Sequence, residues 1–306
     1  MDVHEARFGA MGSETHLLVV GGDPSLVEVG RERIAELERR WSRFLPDSEI
    51  SRLNAAAGSP LEVSDDTVAL VTRAIEGWRF TGGSYDPTVL GAMLRAGYDR
   101  TFDDVAAGTE SVANDLLLAC TDIVVDGNSI TLPVGSGFDP GGIGKGLAAD
   151  LVATELRDAG ATGVVVNMGG DVRASGTGPG GGPWGVAVQH VRQAAPLVVV
   201  QLTEGAVATS TTLKRHWMVD GQPRHHLIDP RTGESADTDL DHVTVVAGSA
   251  WAAEVLAKAV LIRGSEHPFD LVDGVAAALV VTSDGRVLAS DGFGAFCAAV
   301  PTRLHV

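Results

Sequence analysis

Apolar residues recur at a 3-4-3 spacing in Ile34, Leu37, Trp41 and Phe44, while Arg33, Glu36, Arg39 and Arg40 fall off that face. The pattern predicts an amphipathic helix, opened by Asp23 or Ser25, running to about Phe44 and stopped by Pro46. Apolar runs at 15–20, 164–167, 185–189, 197–202 and 242–247 read as strands, and the residues before 15 as irregular. Helices are predicted over 48–57, 64–80, after Pro87, from the glycine-rich turn at 140–146 to about Asp158, and over 250–263. Hairpin signals stand at Asp126-Gly-Asn-Ser129, Asp220-Gly221 and Asp284-Gly285. Helices and strands do not alternate regularly. The pattern therefore predicts an α+β fold of mixed, largely antiparallel sheets packed with helices, not a doubly wound one. No internal repeat is visible, and 1–306 reads as a single domain.

Composition narrows the function classes. The 306 residues are 44% hydrophobic and 21% charged, which is globular and needs no disulfide staple. Lys plus Arg is 23 and Asp plus Glu 40, a net charge of −17, so nonspecific nucleic-acid binding is not expected. Cys120 and Cys297 lack metal-ligand spacing and read as core thiols. Neither a secretory leader nor a run long enough to insert in a membrane is visible, so a cytoplasmic protein is expected.

Several local motifs carry candidate chemistry. Gly176-x-Gly178-x-x-Gly181 spells a dinucleotide fingerprint, but Pro183 and a strand follow where a helix is required. Gly144-Lys145 lacks the first glycine and the Ser/Thr of a P-loop, since Asp139 and Gly146 stand there. The segment Asp139-Pro-Gly-Gly142-Ile-Gly-Lys145-Gly nonetheless opens a helix. Its first-turn N–H groups read either as a phosphate cradle or as a structural helix start. His225-His226 precede an Asp229-Pro-Arg-Thr-Gly233 turn, and a strand would send the two rings to opposite faces. The pair reads as surface histidines at a strand end, as a site residue, or with His216 as a zinc set. Glu254 and Lys258 are one helical turn apart and read as an exposed ion pair or as groups facing a ligand.

Taken in order, these and other segments form one series. It runs Met11-Gly-Ser, then Trp41-Ser-Arg-Phe44-Leu-Pro-Asp47-Ser through Asn54, then Thr81-Gly-Gly-Ser84-Tyr85-Asp86-Pro-Thr88. The glycine-rich turn at Asp139 follows, with Asn167-Met-Gly-Gly-Asp171, Trp184–Gln189, Ala208-Thr-Ser210 and His226-Leu-Ile-Asp229-Pro-Arg-Thr-Gly233. The series resembles the ApbE family of FAD:protein FMN transferases over almost the whole chain. The resemblance implies an ApbE-like, T-fold-like architecture with the ligand in a cleft between two halves. It implies transfer of FMN from FAD to a Thr or Ser hydroxyl of an acceptor flavoprotein, with release of AMP and normally with magnesium. The alternatives are an FAD-binding carrier or regulator without transferase activity, and an FAD pyrophosphatase. A monomer or homodimer is expected.

By position, Met11, Phe44, Ser84, Tyr85, Asp86, Asp139, Lys145 and Asp229 would bind FAD, and His226 would act on the acceptor hydroxyl. Phe44 stands where the family has Tyr, which keeps stacking and loses a hydroxyl. The metal ligands would be the Gly142 carbonyl and Glu254, where the family has Asp; Lys258 takes the place of a ligand Thr. Three outcomes follow. Lys258 replaces the metal as a catalytic charge, or it pairs with Glu254 in a site that binds FAD and turns over poorly. In the third it swings aside, and Glu254, Gly142 and the pyrophosphate hold magnesium.

Overall fold

A computed structural model describes residues 2–102, 105 and 116–297. Along the chain run β1 (Val3–Ala10), β2 (Ser13–Val20), α1 (Leu26–Trp41), α2 (Glu49–Ala55), β3 (Leu61–Glu62), α3 (Asp65–Phe80) and α4 (Leu90–Arg95). There follow β4 (Val124–Asp126), β5 (Ser129–Thr131), α5 (Gly144–Asp158), β6 (Gly163–Met168), β7 (Asp171–Gly176), β8 (Trp184–Val188) and β9 (Val198–Leu202). The rest are β10 (Glu204–Thr211), β11 (His216–Val219), β12 (Gln222–His225), β13 (Ile228–Asp229), β14 (Glu234–Ser235), β15 (Leu240–Ala247), α6 (Ala250–Arg263), β16 (Ala277–Thr282) and β17 (Val287–Ala289). The predicted α+β class is the one found.

The chain divides into two compact units. Unit 1 comprises Met1–Glu36, Lys145–Thr211 and Asp239–Val306. Its eight-stranded sheet has the order β1-β2-β6-β7-β10-β15-β16-β17, and every neighbouring pair is antiparallel. Alternation assigns the two faces. Val165, Val172, Val207, Val246 and Leu279 meet Trp184, Val188 and Val200 of the β8–β9 hairpin and Phe293 in one core. On the other face Leu17 lies where a Cβ on Gly30 of α1 would meet it at 2.7 Å and Leu156 of α5 at 3.0 Å. That glycine lets α1 sit close to both.

Unit 2 comprises Leu37–Gly144 and Thr212–Thr238. It holds α2, α3, α4 and the small sheet β3-β5-β4, with the hairpins β11-β12 and β13-β14. Tyr98, Trp217, Val219, Ile228 and Met93 form its apolar cluster, with Phe44 packed against them. Cys120 is buried here and its thiol is pushed up to about 12, chiefly by burial, so it is an inert core thiol. Among the described residues no helix is long and apolar enough to cross a membrane.

Two local expectations are corrected. The residues before 15 are not irregular, because β1 pairs with β2 along its whole length. It is an edge strand whose half-buried residues are His4, Ala6 and Phe8 and whose exposed ones include Glu5 and Arg7, so its apolar signal is weak. The helix expected to reach Phe44 stops at Trp41. There the Ser42 hydroxyl accepts a hydrogen bond from the Phe44 N–H at 3.3 Å, competing with the helical ladder.

Candidate functional site

In unit 1 the helices α5 and α6 cap each other. The Asp150 carboxylate of α5 accepts from the N–H groups of Ala250 (2.9 Å) and Trp251 (3.0 Å), which open α6. In return Glu254 Oε2 accepts from the Gly146 N–H in the first turn of α5 at 2.8 Å. Carboxylates at helix starts satisfy orphan donors and meet the positive end of the dipole. Glu254 is 4% exposed, so the exposed-pair reading of Glu254 with Lys258 is set aside. Its Oε1 accepts from Lys145 Nζ at 3.1 Å, and Lys145 also donates to Asp171. Lys258 is half-buried one turn further along α6.

Asp171 opens β7 directly after the Gly169-Gly170 turn, whose two glycines have φ of 67° and 106°. The Gly169 N–H donates to Glu14 O at 2.9 Å, so this turn lies beside the β1–β2 hairpin tip. That tip is Met11-Gly12, with φ of 49° and 66°. A non-glycine residue at positive φ is uncommon, and two such residues suit a two-residue hairpin whose twist matches its strands. Met11, Asp171 and, through Asp171, Lys145 therefore share one end of the unit 1 sheet.

In unit 2 the glycine-rich turn is held from several sides. Asp139 is 6% exposed, and its Oδ1 accepts from the Gly141 N–H at 2.7 Å while Arg43 Nε lies 3.6 Å from Oδ2. The Asp139 N–H donates to Pro87 O at 2.7 Å, which joins the turn to the Asp86 segment. Phe138 is fully buried, and its backbone is read by Asn54, which donates to its carbonyl at 2.9 Å and accepts from its N–H at 2.7 Å. Asn54→Ala orphans both groups, so we expect a loss of about 2 kcal/mol in urea unfolding. Gly142 is buried in the same turn.

Asp86 is buried, and burial pushes its carboxyl above the usual range against the opposing hydrogen bonds from Thr88 and Trp78. Ser84 is half-buried and Tyr85 is buried after the left-handed pair Gly82-Gly83. The Arg43 guanidinium stacks 4.3 Å from the Phe44 ring centroid and 4.8 Å from that of Tyr98, and donates to Tyr98 O at 2.8 Å. Tyr98 in turn lies 5.4 Å from Trp217, whose indole donates to Ala96 O. Sequence reasoning missed Tyr98 and Trp217, which are far apart in the chain. Their only signal was that aromatic residues are scarce, at 5%.

The two adjacent histidines have separate duties. His225 ends β12, donates from Nε2 to Ala236 O at 3.1 Å and accepts at Nδ1 from the Leu227 N–H at 3.3 Å. The tautomer is assigned from these partners. Both nitrogens are thus engaged, so the ring 6.0 Å from His216 offers no lone pair to zinc. Burial pushes His225 below its ordinary 6.5, outweighing the carbonyl that raises it. As pH falls through 6.5 the unfolded chain binds the proton first, so stability declines with acidification. The slope from one such group cannot exceed about 1.4 kcal/mol per pH unit. His225→Gln should flatten this slope in urea titrations as the pH is lowered from 6.5.

His226 is half-buried on the bend between β12 and β13. The following turn is built by Asp229, whose carboxylate accepts from the Arg231 N–H (2.9 Å) and guanidinium (2.8 Å) and whose carbonyl accepts from Gly233 at 2.8 Å. Burial raises the Asp229 carboxyl, but Arg231 outweighs it and holds it below the usual range. This turn, at Pro230–Gly233, lines a cavity of about 430 Å³ together with Thr88, Val89, Ala92, Arg95 and 116–118. Thr88, two residues after Asp86, and Pro230–Gly233, directly after Asp229, thus line one cavity.

The ApbE family model matches residues 11–280. The chain belongs to the ApbE family. It is 32% identical over 270 residues to the FAD:protein FMN transferase of Treponema pallidum, covering 80% of this chain and 74% of that one. It is 29% identical over 273 residues to the enzyme of the same name from Vibrio cholerae, covering 86% and 82%. The crystal structure of the ApbE protein from Thermotoga maritima superposes with a TM-score of 0.85 at 26% identity, covering 96% and 99%. The ApbE likeness therefore extends from motif order to fold.

The ApbE resemblance implies magnesium, and the donor set tests it. Among the described residues no three His, Cys, Asp or Glu group as metal ligands. Asp171 and Glu254 converge on the Lys145 ammonium, and the second Glu254 oxygen holds the Gly146 N–H. The next residue on that face of α6 is Lys258, whose ammonium has no lone pair to give. The Glu254 and Lys258 side chains therefore do not fit a divalent ion. The first-turn N–H of Gly146 is likewise committed to Glu254, so at that position the helix-start reading holds rather than the phosphate cradle.

Proposed function

We propose that this chain transfers FMN from FAD to a Thr or Ser hydroxyl of an acceptor flavoprotein in the cytoplasm. One observation carries the reading: the family match over 11–280 takes in every proposed site residue from Met11 to Lys258. The acceptor oxygen attacks the phosphorus of the FMN half, the bond to the bridging oxygen breaks, and AMP leaves with that electron pair. His226 accepts the hydroxyl proton. Met11, Phe44, Ser84, Tyr85, Asp86, Asp139, Lys145 and Asp229 bind FAD, with Phe44 as the stacking surface. Lys145, buttressed by Asp171 and Glu254, orders the start of α5.

The test is direct. The protein is incubated with FAD and an acceptor domain, the mixture is denatured, and flavin fluorescence is read on the acceptor. Covalent label with stoichiometric AMP is expected. AMP without label means water is the acceptor, and FAD binding without either means a carrier; both outcomes overturn the reading.

A further inference from the structure

We propose that Lys258 supplies, as a fixed ammonium, the positive charge that meets the FAD diphosphate, so that transfer proceeds without a divalent cation. The inference rests on the transferase reading above. Breaking a diphosphate requires positive charge placed where negative charge develops. In unit 1 two nearby sources are already committed to carboxylates. The Gly146 N–H of α5 donates to Glu254, and Lys145 bridges Glu254 and Asp171. Lys258 lies on the same face of α6, one turn beyond Glu254. It is one of only three lysines in the chain, and it is half-buried on a helix of which ten of the 14 residues are buried. Partial burial strengthens its field over that of a surface charge. A magnesium ion drawn to Glu254 would have to displace Lys145 or stand within a helical turn of a second ammonium. Glu254 is thus a positioning residue for Lys145 and α5.

Labelling of the acceptor is measured in EDTA and in magnesium, alongside FAD titration by flavin fluorescence and calorimetry with magnesium alone. Wild-type labelling and FAD affinity are expected to be the same in chelator as in magnesium, with no magnesium heat. Lys258→Ala should lower the labelling rate about 10²-fold or more and weaken FAD about tenfold. Wild-type FAD affinity that depends on magnesium, or Lys258→Ala that binds FAD as wild type does, overturns the proposal. The affinity readout judges Lys258 even where no acceptor is labelled, an outcome that instead removes the transferase reading.

Discussion

His226→Ala is expected to lower acceptor labelling by about 10²- to 10⁴-fold with FAD affinity and the unfolding midpoint nearly unchanged. The expectation comes from what the two neighbouring rings do. His225 is fixed by Ala236 O and the Leu227 N–H, so its loss is felt in stability. His226 lies on the bend between β12 and β13, adjacent to the turn whose residues line the cavity of unit 2. A general base contributes to the rate of proton removal and little to ground-state binding. The pair of variants therefore separates two roles: His225→Gln changes the pH dependence of stability, and His226→Ala changes turnover. Equal labelling by His226→Ala and wild type would remove this histidine from the mechanism.

Gly146→Ala should destabilise the protein by about 3 kcal/mol, the upper end of the overpacking range. A Cβ at this position would stand 2.5 Å from Ala250 O, 2.6 Å from Ala250 C and 2.7 Å from Trp251 N. These are backbone atoms at the start of α6, so no side-chain rotation relieves the overlap. Parting the helices would also lengthen the Asp150 bonds to Ala250 and Trp251 and the Glu254 bond to Gly146. Urea unfolding measures the loss. Asp150→Ala serves as a comparison, because it removes one cap without steric overlap and should cost about 1 kcal/mol. A Gly146→Ala protein as stable as wild type would mean that α5 and α6 do not approach this closely. The same contact explains why the residue after Lys145 is not the Ser or Thr of a P-loop.

The legible part of the site was the part written in contiguous segments. Asp139 to Gly146, Asn167 to Asp171 and Asp229 to Gly233 are turns, and a turn is built from residues that neighbour one another in sequence. Gly169-Gly170 and Gly233 all take positive φ, and Gly141 closes onto the Asp139 carboxylate. The illegible part was pairing across distance. Arg43 stacking on Tyr98, Tyr98 against Trp217, and Asn54 clasping Phe138 leave no local period or spacing. The edge strand β1 was equally silent, since Phe8 is the one large apolar residue on an inner face that otherwise carries His4, Ala6 and Ala10.

By itself the sequence determined the α+β class, most helices and hairpins, and the ApbE motif series, because periodicity, capping residues and turn glycines are properties of short stretches of chain. Only the tertiary structure decided what Glu254 does. From its spacing it could be half of a surface ion pair or a group facing a ligand, and nothing in that spacing marks it as a helix cap. Its role depends on the Gly146 N–H, Lys145 and Asp171, contributed by α5 and β7 and brought together when those elements pack. The charge state of a buried group follows from all its neighbours at once, and a linear sequence names the groups without saying which of them meet.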